Sequence, residues 1–274
     1  MPSDYAALCH DHYLNQRLGL KMDLHLRRDT VLSLFDRVSR ARPGMTRFRR
    51  YSNELALESA PSSEDPSYQW AAVRKTSVRS GSVNHSRDAD AHGLHRLVLE
   101  AAPFYLDVSP LDIDHLEVLF GFDLLAGGNH DAIVFSALLG ESRLATLCDR
   151  PGQYPIECQP VFGVSLGEQP AAGGVGIHAY FEVKTRTGGS SGPKSGPAGG
   201  TGRSRPRSSG ESSVDDLHEH PISLYLILRA HNPVSDVRDL GAVYNLLVSR
   251  GEELLERRIV PNLLMPVREA IASA

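Results

Sequence analysis

The sequence predicts an α+β protein with a mainly antiparallel sheet, organised as two similar strand-helix-strand-strand-helix halves that read as an internal duplication. Three observations predict it. β-rich runs follow one another directly instead of alternating with helices, at residues 46–57 and 68–83 and again at 161–166, 175–185 and 222–230. Each set is preceded by a strand entering a helix, first over residues 20–38 and then over residues 116–140. Each set is followed by apolar residues at helical spacing, over residues 88–102 and 237–258.

Bulk composition sets the outer bounds. With 274 residues, 41% hydrophobic and 23% charged, the chain is long and apolar enough to bury a substantial core, which excludes wholesale disorder and a fibrous architecture. A net charge of −4 exerts no global attraction on nucleic acid or anionic lipid, so such a partner needs a local patch. No apolar run approaches the ~18 residues of a membrane span, and no basic-then-apolar leader opens the chain. A cytoplasmic location and no membrane partner are expected. Cys9, Cys148 and Cys158 are an odd number without a CxxC pair, and are expected to be reduced and chemically idle.

Taken in order, residues 1–19 are expected to be an N-terminal arm, with a short helix over 4–17 that sets Tyr5, Leu8 and His12 near one face. Residues 20–110 form the first half. Its opening strand is LKMDLHL, residues 20–26, where Leu20, Met22, Leu24 and Leu26 alternate with polar residues. Asp29 or Thr30 caps the helix that follows, Val31, Leu34, Phe35 and Val38 form its apolar stripe, and Pro43-Gly44 stops it. The runs at 46–57 and 68–83, separated by a Pro-, Ser- and Asp-rich turn, pair antiparallel. Leu94, Leu97 and Val98 then mark a helix that Pro103 interrupts. Residues 111–260 form the second half, which is expected to carry one strand more than the first. Within it, residues 188–213, rich in Gly, Ser and Pro, read as a flexible insertion between two strands. Pro261 ends the last helix, and residues 261–274 are a short helical tail.

Two segments look like chemistry. Asp23-Leu24-His25 lies in the expected first strand, and Gly128-Asn129-His130-Asp131 lies where a strand enters a helix. Together these seven residues resemble the D-x-H and G-N-H-D/E segments of calcineurin-like metallophosphoesterases. The resemblance implies Asp23, His25 and Asn129 as ligands of a two-metal centre that activates water, with His130 as the acid assisting the leaving group. The family's G-D-x-x-D/N segment has no counterpart, since the chain contains no Gly-Asp dipeptide. Read by their own physical chemistry, the same residues start a helix: Asn129 caps it and Asp131 suits the positive end of its dipole. Gly163 to Gly167 fits G-x-S-x-G without a following helix, and Gly174 to Ala179 fits a dinucleotide fingerprint that runs into β structure; both read as turn glycines. Cys9-His10-Asp11-His12 reads as part of a packed helical face, because adjacent residues on a helix diverge. No catalytic residue, metal ligand or cofactor is therefore expected.

One patch reads as binding surface. Residues 40–79 carry eight basic groups against four acidic ones. Arg47, Arg49 and Tyr51 share one face of the first β run, and Trp70 and Arg74 share a face of the second, a mixture suited to phosphates and a stacked base. These five are the candidate anion-binding residues. The expected function is a cytoplasmic, non-catalytic binding or interaction module, whose partner is another protein or a second copy of the chain. The alternatives are a divergent metal-dependent phosphoesterase and a nucleic-acid-binding module using the arginine-rich hairpin.

Overall fold

Residues Asp11–Leu20 form β1, a strand in the middle of the sheet, where the sequence predicts a helix and an arm. The computed structural model describes residues 4–60, 66–167, 176–185 and 220–274, and a single 3-10 turn, Asp4–Ala7, precedes the strand. β1 alternates from Asp11 to Leu18, with His12, Leu14, Gln16 and Leu18 buried on one face. Two of those four inward positions are polar, so hydrophobicity alone hides the period of two. Gln16 is held inside by Ser80, whose hydroxyl donates to its Oε1 at 3.0 Å, and His12 by ring contact with His85 at 4.9 Å between centroids. Of the expected strand, residues 20–26, only Leu20 lies in the sheet, and residues 21–26 run beyond it. There the Lys21 N–H donates to Asp112 and that of Leu24 to Lys75, and Met22 stands in solvent.

The remaining elements are α1 (Arg28–Ala41), β2 (Met45–Arg50), β3 (Leu55–Ser59), β4 (Tyr68–Arg74), β5 (Ser77–Val83), α2 (Asp88–Leu106), β6 (Ile113–Leu124), α3 (His130–Leu139), β7 (Val161–Leu166), β8 (Ile177–Lys184), β9 (Ile222–His231), α4 (Leu240–Leu254) and α5 (Met265–Ser273). The nine strands make one sheet in the order β2-β3-β4-β5-β1-β6-β9-β8-β7, and every neighbouring pair is antiparallel. Each of the first two expected β runs folds back on itself at a turn with no Gly or Pro: one around Ser52-Asn53, the other at Lys75-Thr76. The first half thus holds the additional strand, contrary to expectation. β1 pairs with β6 along ten residues of β1, which joins the halves into one continuous sheet.

A single apolar cluster lies on one face. It contains Leu14 and Leu18 of β1, Leu116, Val118, Phe120 and Phe122 of β6, and Leu224, Leu226 and Leu228 of β9. The helices close it: α2 lies on β5 and β1, α4 on β6 and β9, α1 against α2, and α3 against α5. The stripe Val31, Leu34, Phe35 and Val38 of α1 is buried as its spacing predicts, although α1 begins at Arg28 with no side-chain cap. Pro103 sits inside the last turn of α2 instead of ending it, and the left-handed Asp107 caps the helix. Pro261 likewise does not end a helix. It lies in a π-helical passage, Leu255–Leu264, that carries α4 into α5; the wider turn accommodates a residue without an N–H. Among the described residues no helix is long and apolar enough to cross a membrane. The expected insertion at residues 188–213 lies outside the described residues.

Candidate functional site

The second face of the sheet meets no helix among the described residues; its own small cluster holds only Ala56, Trp70 and Ala72, with Tyr68 packed on it. Strand register sorts its side chains into rows. One row runs Arg79, Arg17, Glu117, Arg229 across β5, β1, β6 and β9 and reaches His178 of β8. The next runs Trp70, Gly81, Asn15, Leu119, Ile227, Tyr180. The third includes Tyr13, Gly121, Tyr225 and Glu182. A shallow basin opens here, lined chiefly by Arg17, Arg74, Arg79, Lys184, Arg229, Glu117, Glu182, Leu119, Tyr225 and Ile227.

Glycines let the rows lie flat. A Cβ on Gly81 would come within 2.3 Å of both the Trp70 ring and Asn15 Oδ1, so the indole rests on bare backbone in its cross-strand partner. Gly121 receives the Tyr13 ring in the same way. Trp70 is consequently only 2% exposed, and the Arg79 guanidinium covers it at 5.3 Å from the ring centroid.

Charge on this face is mostly internally paired. Glu54 accepts from Arg79 at 3.0 Å and also binds Arg74. Glu117 accepts from Arg229 through Nε at 3.0 Å and Nη2 at 2.5 Å, a two-pronged contact. Glu182 pairs with Lys184 at 3.1 Å. Burial, partly offset by Glu54, lowers the pKa of Arg79 to about 10. Five cations thus face three carboxylates, a surplus of two positive charges. The surplus centres on Arg17. Its Nε is buried without a hydrogen-bond partner, and it forms no ion pair among the described residues although Glu117 is its register neighbour.

The sequence-predicted anion set falls largely on this face but is drawn inward. Arg47 is the cross-strand neighbour of Glu58. Arg49 approaches Glu58 at 4.0 Å, and the Tyr51 hydroxyl donates to Glu58 at 2.5 Å. Burial and that hydrogen bond push Tyr51 up to about 12. Trp70 lies under Arg79, and Arg74 is engaged by Glu54. Sequence reasoning missed Arg17, Glu117, Lys184 and Arg229. The available signal was a charge at an outward position inside an apolar strand, as in HLEVLF and LILRAH.

The residues implied by the phosphoesterase resemblance do not meet. Asp23 and His25 lie beside the start of β6, exposed, with Asp23 near Lys75 at 3.9 Å. Asn129 and His130 follow the far end of β6, a 12-residue strand that spans roughly 40 Å at its usual rise. Asn129 caps α3 as expected, accepting from the Ala132 N–H at 3.1 Å. His130 is buried, with Nε2 2.9 Å from the Ala126 carbonyl oxygen. Asp131 is buried too, accepting from the Cys158 N–H at 2.8 Å and the Thr185 hydroxyl at 2.6 Å, so it clips α3 to the passage before β7 and to the end of β8. Among the described residues no group of three or more His, Cys, Asp or Glu side chains has metal-binding geometry. The three cysteines are free, and burial pushes Cys9 up to about 12.

A second polar cluster lies under the helices. His95 of α2 is fully buried, with Nδ1 2.7 Å from Ser80 Oγ and its ring edge-on to Tyr244. His92 Nδ1 lies 2.8 Å from the Tyr244 hydroxyl. Burial lowers His95 to about 3 and lowers His12 and His92 as well, which fits neutral packing residues. In comparisons with known proteins, no family model matches this chain and no curated protein is similar to it.

Proposed function

We propose that the chain is a non-catalytic binding module that receives its ligand on the second face of the sheet. The observation that carries this reading is the basin itself: paired charges and flattened aromatic side chains make an ordered surface, yet Arg17 at its centre forms no ion pair among the described residues. Ordered, partly buried charge around a basin is what a preorganised binding surface needs. The finer architecture belongs to the same proposal: the halves are repeats of one unit. Supporting it, each half opens with a strand and a helix, and its last meander strand, β5 or β9, pairs with that opening strand.

The test is a thermal-shift screen of the full chain with small anions, cations and neutral compounds, run beside Ile227→Trp, which fills the basin. A compound class that raises the wild-type melting temperature and leaves the variant's unmoved is the expected result. Equal responses in both proteins, or none in the wild type, would overturn the proposal.

A further inference from the structure

We infer that the ligand is a small organic carboxylate with an apolar body, its carboxylate held by Arg17 and its body laid across Leu119 and Ile227; this rests on the reading of the second sheet face as the binding surface. Two unlike rows stand side by side there. Arg79, Arg17, Glu117 and Arg229 occupy four consecutive strands, and two residues along β1, β6 and β9 come Asn15, Leu119 and Ile227. In the charged row Glu54 engages Arg79 and Glu117 engages Arg229. Arg17 lies between these pairs. Its strand neighbours are one arginine and a glutamate that binds Arg229, so among the described residues its buried Nε has no acceptor.

A guanidinium offers Nε and a neighbouring Nη as a planar fork that matches two carboxylate oxygens. The like charge of Arg79 directly opposite raises the local potential for an anion. The adjoining row decides what the anion carries. Leu119 is buried and Ile227 half-buried, and both line the basin beside the Tyr225 ring. An inorganic oxyanion would use the charged row alone. A nucleobase would want an exposed aromatic platform, whereas Trp70 is shut beneath Arg79.

The probes are benzoate, its neutral analogue benzamide, and inorganic phosphate, titrated into the full chain by calorimetry. Benzoate is expected to bind at least about tenfold more tightly than benzamide or phosphate, the worth of one charge-assisted pair or of a buried apolar body. Arg17→Gln should cost benzoate about tenfold with circular dichroism unchanged, and Arg17→Lys should restore only part of it, having charge without the fork. If Arg17→Gln fails to fold, Ile227→Glu supplies the same readout by opposing the anion from the apolar row. Equal binding of benzoate and benzamide, phosphate binding as tightly as benzoate, or full affinity in the variants would overturn the assignment. A cation or neutral compound whose binding is lost in Ile227→Trp, together with silence toward benzoate, would sink the carboxylate and leave the binding face standing.

Discussion

His95 shows how a single residue sets a condition on the whole fold. In the unfolded chain a histidine takes up its proton near pH 6.5, whereas the buried ring stays neutral until about pH 3. Between those values the unfolded state binds more protons, so stability falls as pH is lowered through that window. For His95 alone the loss between pH 6.5 and 5 is on the order of 1–2 kcal/mol. His12 and His92, also lowered, act in the same direction. Urea denaturation across this range should show stability dropping toward acid, with a smaller slope in His95→Gln. Identical slopes in the two proteins would mean that His95 gains its proton without unfolding.

At the scale of elements, side-chain clips compensate for weak local signals. Helix α3 has apolar residues on most sides and is fixed by its cap and by Asp131. Asp131→Ala removes the acceptor of a buried backbone N–H and of a buried hydroxyl. A loss of about 1–3 kcal/mol is expected, with the Cys158 amide exchanging its hydrogen faster while amides of β1 and β6 keep their protection. Unchanged exchange at Cys158 would show that α3 is held by packing alone. The same scale explains the misread proline positions. Pro103 falls in a final helical turn and Pro261 in a π-helical passage, two settings in which a missing N–H does not end the helix.

At the scale of the molecule, the β1–β6 pairing makes one sheet of both halves, and α2 and α4 also touch across the middle. A continuous ladder with a shared core predicts cooperative unfolding. The chain has one tryptophan, Trp70, in the first half. Its fluorescence and the far-ultraviolet circular dichroism of the whole chain should therefore report one common midpoint in denaturant. Two separated midpoints would show that the halves unfold independently.

The α+β class, the helical stripe of α1, the cap of α3 and the β runs of the second half were legible locally, because period and capping chemistry reside in neighbouring residues. β1 was not: its inward Gln16 and His12 are tolerated only because Ser80 and His85, distant in sequence, meet them there. Nor was the candidate site. Arg17, Glu117 and Arg229 are one residue from each of three strands, and register alone aligns them. Sequence by itself determined the kinds of element and most of their apolar faces. Tertiary structure decided which charges of the basin neutralise one another and left Arg17 without an ion pair among the described residues, because cross-strand neighbours are set by pairing and not by proximity along the chain.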